Sequence, residues 1–157
     1  MRKLFGVGTL AAILSLTLGQ SVAAQGTVEF LVDGQKVAST VHNFARFSAK
    51  DDYNLTSSMH TDKRVVKLNL RSPAAGKTLA LGSFKEGNYG SYEPEYGKNG
   101  RSARITSGTI TFTSFDPVKR TFAATFAFSA KDDKGKTYEI SQGVVKGGVI
   151  GKGVILD

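Results

Sequence analysis

From residue 27 onwards, apolar side chains recur at every second position in short runs separated by turn formers, the spacing of half-buried β-strands. The first run, Thr27-Val28-Glu29-Phe30-Leu31-Val32, ends at Asp33-Gly34, whose tolerance of positive φ suits a two-residue hairpin, and a return run over residues 36–47 follows. Residues 53–59 put Tyr53, Leu55, Ser57 and Met59 on one face. Residues 64–70 put Val66, Leu68 and Leu70 on one side and Val65, Lys67 and Asn69 on the other, up to Ser72-Pro73, where proline cannot donate to a ladder.

The alternation is strongest in the second half. Ile110 and Phe112 sit between Thr109, Thr111 and Thr113, and Phe122, Ala124, Phe126 and Phe128 between Thr121, Ala123, Thr125 and Ala127. With the turn Asp116-Pro117-Val118-Lys119-Arg120 between them, the two runs predict a hairpin with an aromatic inner face and a threonine-rich outer face. After a further turn, residues 137–145 place Tyr138, Ile140, Gln142 and Val144 on one face, and Val149-Ile150 and Val154-Ile155-Leu156 close the chain. No run of helical periodicity interrupts residues 25–157. The expected fold is therefore all-β: one domain, residues 25–157, forming an antiparallel β-sandwich of about eight to ten strands, with a closed lipocalin-like β-barrel as the alternative. Alternation does not separate the two, and a barrel is the more natural host for an internal ligand.

The first 24 residues follow another pattern. Arg2 and Lys3 precede an apolar stretch from Leu4 to Leu18, and Val22-Ala23-Ala24 supplies small residues for cleavage after Ala24, the three-part layout of a signal peptide. The stretch is too short for a membrane span and is diluted by Gly6, Gly8, Thr9, Ser15 and Thr17. Residues 1–24 are thus expected to be a signal peptide and the mature protein to be periplasmic or extracellular. A lipid anchor is not expected, because the chain has no cysteine at the cleavage site or elsewhere. The lack of cysteine also removes disulfides, thiol catalysis and thiolate metal sites, so the core alone must hold the domain together.

Lys and Arg exceed Asp and Glu by 21 to 13, a net charge of +8, of which Arg2 and Lys3 contribute two. Basic residues occur singly or in pairs beside acids in the turns, without the stripe that tracks a phosphate backbone. An anionic envelope component, a glycan or a protein is the expected class of partner, and nucleic acid is not.

The succession Gly87-Asn88-Tyr89, Ser107-Gly108-Thr109-Ile110-Thr111-Phe112, Thr121-Phe122-Ala123-Ala124-Thr125-Phe126-Ala127-Phe128 and Tyr138-Glu139-Ile140-Ser141-Gln142-Gly143 resembles a family of small uncharacterised β domains in bacterial envelope lipoproteins and secreted proteins. The similarity covers about residues 64–148. This chain departs from that family in lacking the lipidation cysteine and in having Ala123-Ala124 where glycine is usual. The resemblance implies a β domain at the cell envelope, and no activity.

Catalytic, metal and cofactor chemistry find little support. His42 and His60 are the only histidines and lie far apart, without the spacing of a zinc motif. No GxSxG occurs, and the glycines of residues 147–153 fail the phosphate-loop spacing; they suit bulges better. Asp51-Asp52 and Asp132-Asp133 sit in turns, where aspartate bonds its own backbone. Neither an enzyme nor a cofactor or metal site is expected. A binding site, if present, is expected in residues 84–104, at Tyr89, Tyr92, Glu93, Glu95, Tyr96 and Arg101, where tyrosine faces and polar groups lie between glycines. The structural alternative is that Tyr89 and Tyr92 fill the core.

Overall fold

The computed structural model describes residues 26–46, 51–57, 62–97 and 101–151. The signal-peptide assignment to residues 1–24 lies outside these residues, as do Phe47, Met59, His60 and the closing Val154-Ile155-Leu156 run. Among the described residues nine strands are formed: β1 (Thr27–Val32), β2 (Gln35–Arg46), β3 (Asp52–Ser57), β4 (Val65–Arg71), β5 (Thr78–Leu81), β6 (Tyr89–Glu93), β7 (Ala103–Asp116), β8 (Thr121–Lys131) and β9 (Thr137–Val149). Asp33, at φ 49°, and Gly34 make the expected β1–β2 turn.

These strands form one antiparallel sheet in the order β5-β7-β6-β4-β3-β2-β1-β9-β8, and pairing of β7 with β8 closes it. Eight strands make the ring. The ninth, β5, adds to β7 from Thr78↔Thr111 to Leu81↔Gly108, beyond the short stretch where β6 pairs Ser91 and Tyr92 with Arg104 and Ala103. The all-β expectation holds, and of the two architectures the chain adopts the barrel rather than the sandwich. A period of two says only that one face is buried; here the first strand pairs with the last, so the sheet covers itself instead of a second sheet.

Closure requires curvature, and bulges supply it. On β7 the register against β8 shifts between Ile105 and Ser107 and again between Phe112 and Ser114. On β9, an extra residue is inserted opposite Phe126–Phe128 of β8 and opposite Glu29–Leu31 of β1, and Gln142 takes φ 51° there. This bulge corrects the face read from alternation: Tyr138 and Ile140 point inward, Gln142 and Val144 outward, and Val145 inward again.

The interior is filled with aromatic rings and aliphatic side chains. Phe30, Phe44, Phe112, Phe122, Phe126 and Phe128 are all buried, with Phe44 and Phe122 centroids 4.0 Å apart. All three phenylalanines of β8 lie opposite glycines: Phe122↔Gly148, Phe126↔Gly143 and Phe128↔Gly108. A Cβ at Gly143 or Gly148 would overlap the facing ring, so there the missing side chain is the space the phenylalanine occupies, and a Cβ at Gly108 would run into the β8 backbone at Ala127 and Phe128. Buried Ser57 accepts a 3.0 Å bond from the Val66 N–H. Outward positions carry hydroxyls, amides and charges, the inverse of a membrane-spanning barrel with its apolar outer band. Among the described residues no helix is long and apolar enough to cross a membrane.

Candidate functional site

The outer wall of β3, β4 and β6 is polar and laterally bonded. In register across it stand Asp52↔Arg71, Asn54↔Asn69↔Tyr89 and Thr56↔Lys67↔Ser91. Asn54 Nδ2 donates to Asn69 Oδ1 at 3.1 Å and Thr56 Oγ1 donates to Asn54 Oδ1 at 3.0 Å. Lys67 Nζ reaches Glu93 Oε1 at 2.6 Å while lying 5.1 Å from the centre of the Tyr96 ring. Arg71 Nε stands 3.8 Å from Asp52 Oδ1.

At the lower end of this wall, the chain between β5 and β6 forms a 3-10 turn, Phe84–Glu86. Glu86 Oε2 folds back to accept the Ser83 N–H at 2.7 Å, and Gly87 ends the turn at φ 93°. Asn88 Oδ1 accepts the Arg71 N–H at 2.8 Å, tying the turn to the end of β4. These bonds hold Phe84 outward, 70% exposed, against Tyr89, the two rings edge-to-face with centroids 4.8 Å apart.

Together Phe84, Gly87 and Tyr89 with Asp52, Asn69 and Arg71 bound a hollow of about 230 Å³. Arg71 lies across Gly87: a Cβ there would sit 3.2 Å from Nη1. The hollow thus has an aromatic corner on one side and donors with an acceptor on the other. Among the described residues no three His, Cys, Asp or Glu side chains gather into a metal-ligand set.

The residues singled out from sequence divide. Tyr89 and Glu93 face outward on β6, and Tyr96 is 38% exposed beside Lys67. Tyr92, on the same strand, points inward and is buried against Tyr138 at 5.2 Å, in the role the structural alternative gave it. Burial pushes its phenol up to about 12, against a smaller downward pull from Arg64. Glu95 is half-buried past the end of β6, and Arg101 is exposed; neither lines the hollow. Asp52, Asn69 and Arg71 enter the site unforeseen, while Phe84 opens the expected 84–104 segment without being among the residues picked out in it. One sequence signal does exist for the turn: Ser83-Phe84-Lys85-Glu86 has the S-x-x-E spacing of a capping box, between Gly82 and Gly87.

Two other hollows lie on the outside. One of about 560 Å³ crosses β1, β9, β8 and β7 over Thr109, Thr111, Thr125, Ala127 and Val144. It is a dish of short side chains, and its charged pair, Lys36 and Glu29, is satisfied internally at 3.2 Å. The other, about 640 Å³ at the far barrel end, is lined by Ser102, Arg104, Lys131, Asp132 and Asp133, with Asp132 Oδ1 already accepting the Lys134 and Lys136 N–H groups. Neither offers an exposed aromatic ring.

No curated protein matches this chain in sequence, and no solved structure matches it. Residues 39–147, well over half of the chain, match a family described as a domain of unknown function, DUF6252. That span runs from Ser39, within β2, to Gly147, near the end of β9, so it takes in the whole candidate site and all or most of every strand of the barrel except β1. The chain belongs to the DUF6252 family.

Proposed function

We propose that this protein is a non-catalytic binding module of the bacterial cell envelope, exported by the segment at residues 1–24, which meets its partner through the outer wall of β3, β4 and β6. The observation that carries the reading is Phe84. A large apolar side chain left 70% exposed contributes little to the core, yet a dedicated turn, a carboxylate-to-backbone bond and an asparagine bridge fix it beside Tyr89. Rigid aromatic anchors next to adaptable polar groups are what recognition surfaces use, because little side-chain freedom is lost on contact.

The polar network around the corner supports the same reading, since it holds the wall's side chains in place before any partner arrives. Carriage of a ligand inside the barrel is the less supported alternative, because the described interior is occupied by phenylalanine and tyrosine rings. An enzyme with dispersed catalytic residues is the other alternative, and no observation among the described residues favours it.

Cosedimentation of the purified protein with isolated envelope fractions tests the proposal. Wild-type protein is expected in the pellet, and Phe84→Ala in the supernatant with an unchanged circular dichroism spectrum. Equal retention of both proteins would remove the wall from the account.

A further inference from the structure

We propose that the hollow between Phe84 and Arg71 is a subsite for one neutral pyranose ring, so that the module's partner is a glycan. The inference rests on the recognition reading above and adds the class of ligand. Size is the first constraint. At about 230 Å³ the hollow falls below the roughly 300–1,000 Å³ of pockets for drug-sized ligands, which leaves room for one ring and not for an extended molecule.

The walls then select the ring's chemistry. Phe84 and Tyr89 meet edge-to-face, so one flat apolar surface remains open to solvent in a fixed orientation. A pyranose presents a matching face of C–H bonds and carries its polarity at the rim. Around that rim stand Arg71, which only donates, Asp52, which only accepts, and Asn69, which does both. Asn54 already occupies Asn69 Oδ1, which turns the Asn69 amide nitrogen away from that bond as a donor.

Charge completes the argument. Arg71 and Asp52 sit 3.8 Å apart and offset one another, so an anion entering the hollow meets the carboxylate and a cation meets the guanidinium. A neutral hydroxyl suits both, because it can donate to the carboxylate and accept from the guanidinium. Adjacent hydroxyls on one ring can use the two side chains together. Gly87 lets Arg71 lie close across the backbone; a Cβ there would sit 3.2 Å from Nη1, tight enough to shift the guanidinium by a few tenths of an ångström.

Saturation-transfer NMR on the full-length purified protein is the direct experiment. Methyl glucoside, methyl galactoside, methyl mannoside and N-acetylglucosamine are offered at millimolar concentration, with glucuronate and a tripeptide as controls. At least one neutral sugar is expected to receive saturation, strongest at the protons of one ring face. Phe84→Ala and Arg71→Ala should each weaken binding by roughly tenfold, and Phe84→Trp should retain it. Saturation of the glucuronate or the tripeptide alone, or neutral binding indifferent to Phe84→Ala, would overturn the pyranose subsite. If no sugar binds while Phe84→Ala still abolishes envelope cosedimentation, the subsite is wrong and the recognition wall stands. If that variant cosediments like wild type, the recognition reading itself has failed.

Discussion

Phenylalanine and glycine divide the space of the barrel between them. Phe122, Phe126 and Phe128 each face a residue without a side chain, and the three pairings join β8 to both of its neighbours. Gly143→Ala puts a methyl group into the Phe126 ring, an overpacking expected to cost about 1–3 kcal/mol in urea or thermal unfolding. Phe126→Leu in the same molecule should recover part of that loss, giving a coupling of roughly 0.5–3 kcal/mol in the double-mutant cycle. Additive effects would show that ring and glycine do not share the space.

Tyr92 makes a pH prediction at the same scale. Its pKa is about 12 in the folded protein, above the ordinary 10.0, because burial favours the neutral phenol. A raised acid pKa means that the contribution is complete below pH 10 and falls as pH rises towards 12, by roughly 1.4 kcal/mol for each pH unit climbed between those values. Ultraviolet titration should therefore show a late tyrosinate coupled to loss of structure, distinct from Tyr53, which burial also raises, and Tyr92→Phe should abolish that step. A Tyr92 that ionises with the exposed tyrosines would contradict its burial.

Among elements, the 3-10 turn between β5 and β6 matters most to the site. Gly87 holds φ 93° at its end, a conformation other residues reach only with strain. Gly87→Ala should cost about 1–3 kcal/mol, confined to the turn, and read as faster hydrogen exchange at Glu86 and Gly87 while the strands stay protected. Uniform loss of protection would mean that the turn is part of the barrel's cooperative unit. Period-two alternation makes β1 to β4 and β7 to β9 legible in the sequence. It does not reveal β5, whose four residues are too short to show a period, nor the β9 bulge, where one extra residue moves Gln142 to the opposite face. The site was legible as a neighbourhood. Tyr89 is on the wall, but Tyr92 is in the core, and Asp52, Asn69 and Arg71 reach the hollow only through the β3–β4 and β4–β6 pairings. Local sequence carries no mark of such long-range register.

At the scale of the whole molecule, the barrel's interior and its wall differ in chemistry. Aromatic rings and aliphatic side chains fill the inside, and pairing of the first strand with the last and of β7 with β8 closes the sheet on itself. What remains available for contact is the outer surface, and Phe84 with Tyr89 is its aromatic corner. The decisive measurement is a residue-by-residue map of amide chemical-shift changes as a solubilised envelope fraction is titrated into the protein. Changes are expected to cluster at Asn69, Arg71, Phe84, Gly87 and Tyr89 if the outer wall is the contact surface. Changes centred on Phe30, Phe126 and Ile140, inside the barrel, would contradict it.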